Sequence, residues 1–358
     1  MTPIAAATYD IVFNTNGYDR LNKLLRDSTY SKLFIIVDNH THEHCLPSFL
    51  SMLETELEME IVEVPSGEEN KTIDTCVQVW EALADLNADR KALIINVGGG
   101  VVTDLGGFIA STFKRGMDFI NIPTSLLSMV DASVGGKTGV DLGSLKNLVG
   151  VINNPEMVLI DAGFLATLPQ NEMRSGLAEM YKHGLIADKN YWEKLSNLEA
   201  MTSDDLNHLI YESVIIKNTI VLEDPREQGK RKTLNYGHTL GHAIESYCLS
   251  SENRKTLLHG EAIAIGMILE SFISETLCGF PSDDLKNVTN ILLNMYENVD
   301  FDQNEIDHII KLLKYDKKNA NGIINFVLLE DIGKAVVDKQ VSNDLIKKAF
   351  EYYAFAKA

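Results

Sequence analysis

The apolar residues of the first half fall in short continuous runs, separated by stretches of helical length and mixed polarity. KLFIIVD (32–38), MEIVEVP (59–65), KALIINVGGG (91–100), FINIP (119–123) and MVLID (157–161) are rich in Ile and Val and apolar on both alternating faces. A strand of that kind has to be covered on both sides, as strands of parallel sheets are. Amphipathic stretches such as TIDTCVQVWEALADLN (72–87) lie between some of them. The pattern predicts an α/β fold with a doubly wound, mostly parallel sheet.

Near residue 168 the pattern changes. Residues 170–316 read almost wholly as helices, followed by one short hairpin, IINFVLLEDIGKAVV (323–337), and a last helix over about 342–355. Pro169 suits the first position of a helix. The expected division is an α/β domain over 1–168 and an all-α domain over 169–358. A chain of 358 residues is long for a single core, which agrees with two domains.

Charge narrows the partners. There are 32 Lys and Arg against 51 Asp and Glu, a net charge of −19, so nucleic acid and anionic membranes are not expected partners. No apolar run approaches the roughly 18 residues of a membrane span, and MTPIAAATYD lacks the basic start and apolar core of a secretory signal. Cys45, Cys76, Cys248 and Cys278 are scattered, with no C-x-x-C pair, and fit reduced thiols and a cytoplasmic location. An anionic substrate would need a local basic island in so acidic a protein. The acidic run 54–64 reads as a solvated helix end leading into a strand.

The candidate chemistry lies in four groups. VGGGVVTDLGGF (97–108) follows a predicted strand, and its glycines, Gly99 and Gly100 among them, let backbone amides approach a pyrophosphate at a helix N-terminus. It is not a G-x-G-x-x-G fingerprint, and a tight strand-to-helix turn would leave the same trace. Asp38 at a strand end suits a ribose hydroxyl or a helix cap. SGEENK (66–71) resembles a second loop able to hold adenosine. Next, IPTSLLSMVDASVGGKTGVDLGSLKNLVG (122–150) gathers Thr124, Ser125, Asp131, Lys137, Lys146 and Asn147 around glycines. Lysines on a glycine-rich segment suit phosphate, although GGKTG lacks the spacing of a Walker A loop.

In NYGHTLGHAIE (235–245), His238 and His242 share one helical face, aiming two ligands, or one ligand and one base, at one point. With His259 in LLHGEAIAIGM and Glu179 in SGLAEMYKHG they suggest a divalent metal with an open position, zinc by preference. His40, His42 and His44 follow a strand end in a loop, with no carboxylate pattern nearby, and are set aside. The last group is a line of cations, Lys182, Lys217, Arg231 and Lys318, close to these motifs and able to form the basic island.

Taken together, GEENK, GGGVVTD, IPTSLLSMVDASVGGKTGVD, KN, AEMYK, DPREQGKRKTLNYGHTLGHAIE, LHGEA and DKKN, in this order over about residues 35–340, resemble the 3-dehydroquinate synthase family of sugar phosphate cyclases. The resemblance implies an NAD-binding α/β domain, a helical metal-binding domain and a homodimer. It implies a carbon–oxygen lyase that converts 3-deoxy-D-arabino-heptulosonate 7-phosphate to 3-dehydroquinate and phosphate. The steps are metal-assisted alcohol oxidation with NAD, phosphate elimination, hydride return, ring opening and aldol closure.

By the same resemblance Glu179, His238 and His259 ligate Zn2+ or Co2+, while His242 and Glu227 serve as acid–base groups. Lys137, Asn147, Asn235 and Lys318 (or Lys317) hold the phosphate, with Arg115 reaching it from the partner subunit. Lys217 and Arg231 hold the carboxylate, and Asp131 and Lys182 orient hydroxyls. Asp38, Glu68, Lys71, Gly99, Gly100, Asp104, Thr124, Ser125, Lys137, Lys146 and Thr167 resemble NAD contacts. The stretch between His242 and His259 is longer than is common in the family.

Three rivals differ in testable ways. A cyclase acting on a sugar without a carboxylate has no use for Lys217 and Arg231 together. A polyol dehydrogenase of the glycerol dehydrogenase type accumulates NADH. A non-catalytic NAD- and metal-binding protein has no need of the acid–base groups.

Overall fold

A computed structural model describes residues 1–143, 145–196, 202–251, 254–313 and 324–356. They form two compact units, Met1–Pro169 and Gln170–Ala358.

The first unit runs β1 (Ile4–Ala5), β2 (Asp10–Phe13), α1 (Asn14–Asp27), β3 (Leu33–Asp38), α2 (Asn39–His44), α3 (Leu46–Met52) and β4 (Met59–Val64). It continues with α4 (Ile73–Asp85), β5 (Leu93–Gly98), α5 (Gly100–Thr112), β6 (Phe119–Pro123), β7 (Lys137–Leu142), β8 (Leu145–Ile152) and β9 (Met157–Ile160). Seven of these strands make one sheet in the order β1-β2-β9-β6-β5-β3-β4, parallel except for β1 against β2.

β5, β6 and β9 are buried at every position, as their unbroken apolar runs require. β4 departs from that expectation. It is the outermost strand, and Met59, Ile61 and Glu63 are exposed. The chain leaves β3 for β4 on one side and returns as β5 on the other, so the winding reverses between β3 and β5. Asp38 and Gly98 therefore end adjacent strands at the switch point where open α/β sheets bind ligands. α5 lies so close to β5 that a Cβ on Gly106 would stand 1.9 Å from Asn96 Oδ1.

Three local expectations need correction. The glycine-rich segment 122–150 is only partly a loop: β7 and β8 form an antiparallel hairpin turning at Gly143, whose φ is +60°. Residues 54–58 of the acidic run lie outside any helix, because α3 stops at Met52. There Asn22 Oδ1 accepts from the Glu54 amide, and Lys32 pairs with Glu58 and Glu60. The three neighbouring histidines lie on α2, a short helix capped by Asp38, rather than in a loop.

The second unit contains α6 (Gln170–Ala187), α7 (Lys189–Leu195), α8 (Ser203–Glu223), α9 (His238–Ser250), α10 (His259–Cys278), α11 (Ser282–Met295), α12 (Gln303–Leu312) and α13 (Asn343–Ala356). A hairpin, β10 (Asn325–Asp331) with β11 (Lys334–Gln340), precedes α13. α10 is buried from Gly260 through Ser271 and packs on α6, α9, α11, α13 and β10. An all-round apolar helix belongs at such a centre. α9 and α10 touch backbone to backbone: a Cβ on Gly266 would lie 2.0 Å from the Gly237 carbonyl oxygen.

Candidate active site

Within the second unit, three helices aim donor atoms at one point. Glu179 lies on α6, His238 opens α9 and His259 opens α10. Glu179 Oε1 is 3.5 Å from His238 Nε2 and 3.3 Å from His259 Nε2. Donors held at about 2.0–2.1 Å from one tetrahedral zinc stand about 3.3–3.4 Å apart, so these separations suit a shared ion. Glu179 Oε1 is buried and accepts no hydrogen bond among the described residues.

The other ring nitrogens are already engaged. His238 Nδ1 is 3.0 Å from the Tyr236 carbonyl oxygen, and His259 Nδ1 is 3.4 Å from Glu245 Oε2. Such outer partners orient an imidazole and leave Nε2 for the metal. His242 belongs to the same cluster, its ring 5.0 Å from that of His238 and 5.7 Å from that of His259.

The electrostatics agree. Burial alone would push the Glu179 carboxyl up, but Lys182, His238 and His259 outweigh it and hold the group well below the usual carboxylate range. Lys182 Nζ donates to Glu179 Oε2. Burial pulls the His259 imidazole down, yet Glu179 and Glu245 carry it up to about 9. Carboxylates that favour a proton there also favour a dication.

In the same unit, Asp224 builds a polar loop: Oδ1 accepts from the Gln228 amide, and Oδ2 accepts from the amides of Gly229 and Arg231. Those bonds, that from Gly229 first, hold the Asp224 carboxyl below its ordinary range. Glu227 sits in this loop with φ of +57°, an uncommon conformation for a residue with a side chain. Asn235 Nδ2 donates to Glu227 Oε1 at 2.8 Å. Lys217 on α8 and Arg231 are both buried. Lys317 and Lys318 lie outside the described residues.

In the first unit, the expected cofactor residues gather at the strand ends. Gly99 and Gly100 open α5, and the Thr124 amide donates to the Gly98 carbonyl. Asp38 Oδ1 caps α2 through the Thr41 amide. Lys71 Nζ lies 3.1 Å from Asp104 Oδ2 and 3.3 Å from Glu68 Oε1, and Lys146 Nζ lies 3.5 Å from that same Glu68 oxygen. Burial raises Asp104 to about 6 even against Lys71.

Asn147 has φ of +50°, its amide donating to Asp141 Oδ1. Ser125 follows β6, Asp131 lies in the short π-helical segment Ser128–Ala132, and exposed Lys137 opens β7. Arg115 is exposed on a turn where Lys114 and Arg115 both have positive φ, and Thr167 ends a short turn before α6.

Sequence reasoning missed Glu245, Asp224 and Asp141. For Glu245 there was a signal, since it follows His238 by seven residues on the same helical face. The other two bond to backbone amides and leave no spacing to read.

Comparison with known proteins adds a second line. The family models described as 3-dehydroquinate synthase N-terminal and 3-dehydroquinate synthase C-terminal match residues 61–175 and 176–319. A curated 3-dehydroquinate synthase from Parabacteroides distasonis is 42% identical over 335 residues, covering 93% of this chain and 94% of that protein. Among solved structures, 2-deoxy-scyllo-inosose synthase complexed with carbaglucose-6-phosphate, NAD+ and Co2+ is similar, with TM-score 0.83, 26% identity, and 98% and 99% of the two chains covered. So is 2-epi-5-epi-valiolone synthase from Streptomyces hygroscopicus with NAD+ and Zn2+ bound, with TM-score 0.83, 26% identity and 99% of each chain covered.

Proposed function

The chain belongs to the 3-dehydroquinate synthase family, and we propose from that membership how its own residues divide the work. Its activity is that of the family, conversion of 3-deoxy-D-arabino-heptulosonate 7-phosphate to 3-dehydroquinate and phosphate in the shikimate pathway. Because phosphate leaves by elimination across a carbon–oxygen bond, the enzyme is a carbon–oxygen lyase.

We assign NAD to the glycine turn and ionic cluster of the first unit, and one zinc or cobalt ion to Glu179, His238 and His259. When bound, NAD takes up and returns a hydride, and the ion acidifies the hydroxyl to be oxidised. The chain's own groups do the rest. His242 holds a proton at a ring nitrogen beside the ion site. Glu227 is aimed by its left-handed backbone and steadied by Asn235, and it exchanges a proton at its carboxylate.

Lys217 and Arg231 receive the substrate carboxylate. Held out of water, they bind an anion more strongly than solvated cations do. Lys137, Asn147, Asn235 and Lys318 receive the phosphate, joined by Arg115 of a second copy. Asp131 and Lys182 orient hydroxyls, while Lys182 also keeps Glu179 ionised. Asp38, Glu68, Lys71, Gly99, Gly100, Asp104, Thr124, Ser125, Lys137, Lys146 and Thr167 line the cofactor. The enzyme is a cytoplasmic homodimer; exposed Leu148 and Ile152, four residues apart on one face of β8, offer apolar contact for the second copy.

What carries this reading is the approach of Glu179 Oε1 to both imidazole Nε2 atoms, with buried Lys217 and Arg231 in the same unit. The test is phosphate release with catalytic NAD. Release is expected from the heptulosonate phosphate but not from hexose or heptulose phosphates, and it should stop on chelation. Net accumulation of NADH would instead indicate a dehydrogenase.

A further inference from the structure

α10 carries a buried carboxylate that the reaction does not use. Glu270 is fully buried. Its Oε2 accepts from the Gly237 amide at 2.7 Å and its Oε1 accepts from the Leu240 amide at 3.1 Å. These amides bracket His238 in the first turn of α9. The N-cap of that helix is Gly237, which has no side chain to satisfy them. Glu270 thus supplies, from the neighbouring helix, the cap that the local sequence omits. Its charge also meets the positive end of the α9 dipole.

The grip extends to both sides of His238. Tyr236 OH lies 2.6 Å from Ser271 Oγ, and the Tyr236 carbonyl engages His238 Nδ1. Gly237 has φ of +77°, and a Cβ there would stand 2.6 Å from the Met267 side chain. The start of α9 therefore has little freedom to slide along α10.

We propose that Glu270 is a positioning residue for the metal ligands. It clamps the first turn of α9 onto α10, the helix that begins with His259, and so sets the relation of His238 Nε2 to His259 Nε2. The inference rests on the reading of Glu179, His238 and His259 as ligands. Two charge-assisted bonds in a dry environment define a position more sharply than apolar packing does. A metal site tolerates displacements of only about 0.5 Å.

The test compares the metal-free and metal-loaded full chain in wild type, Glu270→Gln and, as a control on α13, Tyr353→Phe, which removes the buried hydroxyl that accepts from the Val299 amide. Zinc affinity is read by competition with a chromophoric chelator, ligand geometry by the visible bands of bound Co2+, and folding by circular dichroism. Glu270→Gln should fold, lose about 10–100-fold in zinc affinity as outer-partner changes do, and shift the Co2+ bands. Tyr353→Phe should lower the melting temperature and leave both metal readings unchanged.

The proposal is overturned if Glu270→Gln lowers only the melting temperature, with zinc affinity within about twofold and bands unmoved. It is also overturned if Tyr353→Phe disturbs the metal as strongly. Should Glu270→Gln not fold, Glu270→Asp, which keeps the charge and shortens its reach, is put to the same two metal readings with the same criteria. Failure of the wild type to bind one equivalent of ion would defeat the ligand reading itself, a distinguishable result.

Discussion

At the scale of single residues, three donor atoms matter most: Glu179 Oε1, His238 Nε2 and His259 Nε2. His238 Nε2 is expected to be a ligand because Tyr236 already occupies Nδ1 and Glu179 stands opposite Nε2. His238→Ala should therefore lose bound metal and turnover together, each by more than the roughly hundredfold cost of losing an outer partner. Metal analysis of the purified variant beside a phosphate-release assay checks this, and a variant that keeps full activity would contradict the assignment. The motif residues were legible because their types and order are distinctive. Glu245, Asp224 and Glu270 were far less so, since each acts on a neighbour's backbone or ring, and such partnerships follow folded proximity rather than spacing.

At the scale of elements, close contacts and clasps decide stability. α5 meets β5 at Gly106, where a methyl group would overlap Asn96 Oδ1. Gly106→Ala should cost about 1–3 kcal/mol, the usual range for overpacking, and lower the urea midpoint by the matching amount. In the long segment before His259, Arg254 Nε and NH2 both engage the Glu305 carboxylate, and NH2 also donates to the Asp300 carbonyl. This fastens the approach to α10 against the start of α12.

Burial pushes the Glu305 carboxyl up, but Arg254, the Asp302 amide and Tyr247 outweigh it, and the group ends below its ordinary range. An acid depressed in the folded state stabilises it above its unfolded value of about 4.3 and loses that contribution as pH falls through the lower folded value. Glu305→Gln should thus melt a few degrees below wild type at neutral pH, a difference of about 1 kcal/mol or less. The gap should narrow as the medium is acidified below the ordinary glutamate range, as thermal melts across pH will show. β3, β4, β5, β6 and β9 were readable as apolar runs, whereas the four-residue parallel strand β2 was too short to stand out, and β7 and β8 were hidden among glycines and exposed residues.

At the scale of the whole molecule, the chain folds as two compact units, and the proposed assignment gives each a distinct part of the chemistry. In a chain of net charge −19, the proposed anion recognition falls to a few cations held by the fold, buried Lys217 and Arg231 among them. The proposed homodimer predicts sedimentation at twice the chain mass, and Leu148→Lys on the exposed apolar face of β8 should shift the protein toward monomer. A monomeric wild type would remove Arg115 of a second copy from the scheme.

By itself the sequence determined the apolar strands β3, β4, β5, β6 and β9, the helical character of the second half and the candidate motifs, because periodicity and residue type are local properties written along the chain. Only the tertiary structure decided that Glu179, His238 and His259 converge and that Glu245 and Glu270 stand behind them. It alone decided, too, that Asp38 and Gly98 end adjacent strands. Those facts depend on how helices and strands far apart in sequence pack together, and spacing along the chain does not encode that packing.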